Sequence, residues 1–121
     1  MNRGEVSRVY ANLFVNLKKI DGVQTFVLAD RDGYMLGEYQ DDDHETLSFM
    51  SATILKTVQN AGRKLEMENL EHMVVNFKNK KLITVNAGTK AVIVVIARPD
   101  AHLEPIINEL GKTSSRIQAI L

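Results

Sequence analysis

The longest unbroken apolar run in the chain is Ala91-Val92-Ile93-Val94-Val95-Ile96-Ala97, between Gly88-Thr89-Lys90 and Arg98-Pro99-Asp100. A run this short, rich in β-branched residues and closed by turn chemistry at both ends, reads as a strand. It does not alternate, so both faces need cover. That places it centrally in a sheet with helices packed on each side. Elsewhere the apolar positions are spaced. Val6, Val9, Tyr10, Leu13, Leu17 and Ile20 fall at steps of three and four, with Phe14 beside them, and predict a helix over Glu5–Ile20. Asp21-Gly22 ends it, the glycine suiting a left-handed cap.

Two strands follow, Val23–Ala29 and Tyr34–Tyr39, joined by the reversal Asp30-Arg31-Asp32-Gly33. A second helix is predicted from Glu45 to about Leu65. Asp42 or Asp43 caps it, and Asp42 with Glu45 has capping-box spacing. Its stripe Leu47, Met50, Ile54, Val58, Ala61 and Leu65 reads as core-facing. Another stripe, Ser48, Ala52, Leu55, Gln59 and Gly62, lies about a quarter turn away and suits a close helix–helix seam. Phe49 lies off both, either a singly exposed apolar residue or a partner contact. His72–Lys78 and Lys81–Ala87 form a further antiparallel pair turning at Asn79-Lys80. After Pro99-Asp100 comes a last helix, with Leu103, Ile106, Ile107, Leu110, Ile117 and Leu121 on its apolar side and Gly111 as a weak point.

The 121 residues suit one domain, 1–121, large enough for a real core. Lysine plus arginine equals aspartate plus glutamate, at 15 each. A nucleic-acid partner is therefore not expected, since such binders carry a basic excess. There is no cysteine, hence no disulfide framework or thiolate site, which is compatible with the reducing cytoplasm. No signal peptide and no bilayer-spanning run is visible, so direct membrane insertion is not expected.

Candidate chemistry thins out on inspection. Asp30 and Asp32 lack the further oxygen ligands and distal glutamate of a calcium loop. Asp41-Asp42-Asp43-His44 reads as a helix start, not a metal cluster. Gly88 is not part of a phosphate loop. The lysines at 78, 80 and 81 make a solvated tip that discourages aggregation. No nucleophile–base pair stands out, so the sequence offers no catalytic, cofactor-binding or metal-binding residues and an enzyme is not expected. A small-molecule sensor would need polar residues at buried sheet positions. Asn76, Thr84 and Asn86 are the candidates, and they read as edge positions.

The element order helix-strand-strand-helix-strand-strand-strand-helix resembles the Roadblock/dynein light chain superfamily. The carrying stretches are Ile20-Asp21-Gly22-Val23, Leu28-Ala29-Asp30-Arg31-Asp32-Gly33, the loop at Gly88, Val92–Ala97 and Pro99-Asp100-Ala101-His102-Leu103. Within that superfamily the chain looks most like the compact prokaryotic members that regulate GTPases.

The resemblance implies an α+β, profilin-like fold: a five-stranded antiparallel sheet with helices on both faces. It also implies a dimer, homotypic or heterotypic, in which the third strands pair edge to edge and the second helices lie side by side. The implied role is regulator or scaffold of a small Ras-like GTPase. Gliding-motility polarity regulators of the family activate GTP hydrolysis in this way, as a dimeric platform that rearranges the GTPase. The alternative is a structural adaptor subunit without GTPase contact. On the sequence side, His72–Phe77 is too apolar for a bare edge. The expected homodimer interface is Ser48, Ala52, Leu55, Gln59, Gly62, Met73, Val75 and Phe77. The expected partner-binding set is Phe49, Thr53 and Lys56, and the expected location is the cytoplasm.

Overall fold

The computed structural model describes residue 8, residues 11–36 and residues 42–121. Helical residues 11–13 lead into α1 (Val15–Lys18). Strand β1 (Val23–Asp30) follows, then α2 (Asp42–Lys64). A meander comes next: β2 (His72–Asn76), β3 (Lys81–Ala87) and β4 (Ala91–Ala97). The chain closes on α3 (Leu103–Ile120).

The strands form one antiparallel sheet in the order β1-β4-β3-β2. The continuous apolar run is its central strand β4. Every residue of β4 is buried except the half-buried Ile96, because β1 and β3 flank it and helices cover both faces. The pleat sorts side chains by parity. Phe26, Leu28, Ile83, Val85, Ile93 and Val95 face α1 and α3 and join Phe14, Leu17, Ile106, Leu110 and Ile117 in one core. Phe14 stacks on Phe26 with ring centroids 4.3 Å apart. Val27, Leu82, Val92 and Val94 point the other way and pack with Leu55 of α2.

The sheet and the start of α2 differ from expectation. Four strands, not five, form the sheet among the described residues. Of the expected strand over Tyr34–Tyr39, Met35 bridges Ala29, the Asp30 N–H donates to the Tyr34 carbonyl at 2.9 Å and the Leu36 N–H to the Leu28 carbonyl at 2.8 Å, and residues 37–39 lie outside the described set. Helix α2 starts before Glu45, and so Asp42 is helical and not its cap; position 41 lies outside the described residues. The part of the first predicted helix before residue 11 falls outside them too, apart from residue 8.

The phase of α2 differs as well, and this matters more for function. Ser48, Ala52 and Leu55 are buried, while Met50, Ile54, Val58 and Leu65 are exposed. The core-facing and seam-facing stripes of α2 are thus exchanged. The reason is a close approach between the helix and the protein's own reversal at Asp30–Gly33. Gly33 has φ +93°, and a Cβ there would stand 2.6 Å from the Phe49 Cα. Ser48 Oγ donates to the Gly33 carbonyl at 2.9 Å. Small residues are needed where backbone meets helix, and here the backbone belongs to the same chain.

Thr84 sits on an interior strand, fully buried, not at an edge, and its Oγ1 has no hydrogen-bond partner among the described residues. Asn86 is half-buried on the same strand, and only Asn76 is an exposed edge residue. Helix α3 starts at Leu103 and passes Gly111 without a break, that glycine facing open space.

Candidate functional site

Helix α2 leaves two different flanks open. One faces the Asp30–Gly33 reversal. Phe49, 48% exposed, meets the exposed Tyr34 edge to face, with centroids 5.9 Å apart and rings at 86°. Thr53 Oγ1 donates to the Phe49 carbonyl one turn back at 3.0 Å. Lys56 Nζ donates to Asp32 Oδ1 at 2.8 Å. Arg31 Nη2 reaches Gln59 Oε1 at 3.3 Å. Asp30 Oδ1 accepts the backbone N–H groups of Asp32 and Tyr34, which fixes the turn that carries these side chains.

The Lys56 ammonium, through its hydrogen bond first and its charge second, holds the Asp32 carboxyl below the usual carboxylate range. A depressed folded-state value means the pair is complete at neutral pH and is lost only as pH falls through that value. Both groups face solvent, so the pair orients side chains and contributes little to stability.

The other flank is apolar. Met50, Ile54 and Val58 are 59%, 44% and 42% exposed and follow one another at four-residue steps. Phe49 and Lys56 reach the reversal beside β1, and this flank turns away from it, on the face of the sheet that α2 covers. There Met73, Val75 and Ile96 are half-buried against the Leu55 cluster, and Phe77 is 58% exposed just past β2.

Strand β2 ends the sheet, and no strand pairs its outer side among the described residues. Its hydrogen-bonding parity is fixed by Phe77, whose N–H donates to the Lys80 carbonyl at 2.8 Å. In an antiparallel pair, bonded and non-bonded positions alternate. With Val75 opposite Leu82 and Met73 opposite Thr84, the N–H groups of Val75 and Met73 point inward to β3. The N–H groups of His72, Val74 and Asn76 therefore point outward.

The expected interface residues now divide. Ser48, Ala52 and Leu55 are buried against their own sheet and reversal, which removes them from any contact with a second chain. Gln59 is half-buried and holds Arg31. Gly62 is half-buried at the helix end, in a cavity of about 90 Å³ shared with Val58, Arg63 and Met67. Met73, Val75 and Phe77 lie on and beside the free edge. Of the partner-binding set, Phe49 and Thr53 are exposed and Lys56 is tied to Asp32.

Sequence reasoning missed Tyr34 as the companion of Phe49, and Met50, Ile54 and Val58 as surface. Gly33 was the available signal: a glycine in a tight reversal permits close backbone contact.

Among the described residues no three His, Asp or Glu side chains gather as a metal site, and no helix is long and apolar enough to cross a membrane.

Among curated proteins no sequence matches this chain. Solved structures do match. The Roadblock/LC7 domain from Streptomyces avermitilis superposes with TM-score 0.79 at 15% identity, over 91% of this chain and 92% of that one. The gliding protein MglB from Thermus thermophilus gives 0.75 at 18% identity, over 98% and 89%. Profilin II of Acanthamoeba castellanii gives 0.59 at 14% identity, over 91% and 96%. At these identities the likeness is one of fold, and it makes the architecture profilin-like. In sequence, the family model described as the Roadblock/LC7 domain matches residues 10–97. That span is well over half of the chain, and the chain belongs to the Roadblock/LC7 family.

Proposed function

We propose that this chain is a homodimeric regulator or scaffold of a small Ras-like GTPase in the cytoplasm, without a catalytic site of its own. The observations that carry the reading are two unfinished surfaces, the outward edge of β2 and the apolar flank of α2, with Met73 and Val75 of β2 turned to the same face of the sheet as α2. An edge strand with three outward N–H groups is self-complementary about a two-fold axis, because antiparallel pairing is symmetric. A second copy paired there brings its own α2 flank toward Met50, Ile54 and Val58. Membership of the Roadblock/LC7 family and the fold likeness to a gliding protein support a GTPase as the further partner.

In such a dimer the Phe49 flank of each α2 stays on the outside, so the two copies present a two-fold platform. Phe49 with Tyr34 forms the aromatic anchor, the kind of residue that dominates interface energy. Lys56 acts mainly on the rate of encounter. The test uses small Ras-like GTPases cloned from the source genome, purified, loaded with a non-hydrolysable GTP analogue and titrated against the protein. Saturable binding by one of them is expected. Phe49→Ala is expected to weaken it by about 2 kcal/mol, roughly thirtyfold, without changing the melting temperature. Unaltered affinity in a folded Phe49→Ala protein would exclude this flank. Absence of binding by every such GTPase would exclude the function.

A further inference from the structure

We propose that Met50 is an oxidation-sensitive switch of self-association, an inference that rests on the α2 flank meeting a second copy as above. The chain has no cysteine, so its thioethers are its only oxidisable sulfur. The methionines among the described residues are Met35, Met50, Met67 and Met73, and none belongs to the core under α1 and α3. Met35 and Met73 are half-buried against the Leu55 cluster, on the same side of the sheet as α2. Met50 and Met67 are open to solvent, at 59% and 63% exposure. Of these two, only Met50 is in line with Ile54 and Val58; Met67 lies beyond the end of α2 and beside Gly62.

The step needs a peroxide. A lone pair of the Met50 sulfur attacks one peroxide oxygen, an S–O bond forms as the O–O bond breaks, and the peroxide leaves as water. The thioether is oxidised to the sulfoxide and the peroxide is reduced. The flexible apolar side chain becomes a polar one that wants a hydrogen-bond donor, and Ile54 and Val58 offer none. A two-fold seam meets the change twice, once from each copy. An unpaired polar group buried this way weakens association by about tenfold, and the symmetric pair by about a hundredfold.

The coupling runs in both directions. Association covers the Met50 sulfur, so peroxide reacts mainly with the dissociated chain. Raising the protein concentration is then expected to slow oxidation of Met50 and to leave that of Met67 unchanged.

The experiment treats the full chain with hydrogen peroxide, locates sulfoxides by peptide mass spectrometry and follows mass by sedimentation velocity. Oxidation of Met50 is expected to convert dimer to monomer with the circular dichroism spectrum retained. Methionine sulfoxide reductase with dithiothreitol is expected to restore the dimer. Met50→Leu, a volume-conserving change, is expected to stay dimeric under peroxide, and Met67→Leu to respond like the parent. A dimer that survives complete oxidation of Met50 would overturn the proposal while leaving the self-association reading intact. So would a Met50→Leu protein as sensitive as the parent, or dissociation that occurs only with unfolding. A monomer before any peroxide is added would overturn both.

Discussion

A glutamate at Ala52 is expected to abolish cooperative folding. Ala52 is 2% exposed, between Ser48 and Leu55 on the face of α2 that meets the protein's own sheet. The nearest cation along the helix, Lys56 one turn on, is already held by Asp32 at 2.8 Å, so the new carboxylate would be buried without a partner of its own. An uncompensated buried charge costs roughly 3–5 kcal/mol, a large share of the roughly 5–15 kcal/mol that holds a typical domain together. Thermal melting followed by circular dichroism checks this. A well-folded Ala52→Glu protein with an unchanged melting temperature and a monomer mass would instead mean that the small-residue stripe faces a partner.

On the opposite flank the outcome reverses. Ile54→Glu alters an exposed residue and is expected to leave the melting temperature of the isolated domain within a few degrees of the parent. It is nevertheless expected to yield a monomer at micromolar concentration, because like charges brought together across a two-fold axis cost several kcal/mol.

Strand β2 allows a matched pair of proline tests, since proline removes the backbone donor. Asn76→Pro removes an outward N–H from the free edge and is expected to give a folded monomer. Val75→Pro removes the inward N–H opposite Leu82 and is expected to damage the β2–β3 ladder itself. Analytical ultracentrifugation with circular dichroism separates the cases. An Ile54→Glu protein that remains dimeric would place the seam elsewhere.

The contrast between Ala52 and Ile54 shows where the sequence was legible. β4 could be read to the residue, because a β-branched run with turn chemistry at both ends has few alternatives. The order of helices and strands followed from such local signals. The phase of α2 did not. Two stripes, one of large aliphatic residues and one of small residues, both satisfy the helical period, and period alone does not say which one the sheet covers. Large side chains suit a core, yet α2 meets the Gly33 backbone closely at Phe49, with Ser48 buried on the Gly33 carbonyl and Met50 turned to solvent. That fact is tertiary. The expected fifth strand pairs back on β1 as far as it is described, through Met35 opposite Ala29 and the Leu36 N–H on the Leu28 carbonyl; an Asp-Gly reversal predicts that the chain turns back, not how far it stays paired. Of the candidate site, Phe49 could be placed from sequence on the surface, while its companion Tyr34 depends on how the reversal docks on α2.

The sheet order has a consequence for how the chain folds. Strands β2, β3 and β4 are successive hairpins, whereas β1 must find β4 across the whole of α2, Leu28 coming opposite Ile93. Local pairings close cheaply, and distant ones carry the loop-closure entropy of everything between. The meander is therefore expected to assemble first as a nucleus, with docking of β1 as a later step. Shortening Val85 in the meander to alanine should slow refolding, while the same change at Val27 in β1 should mainly speed unfolding. Stopped-flow kinetics would show the reverse pattern if β1 were part of the nucleus.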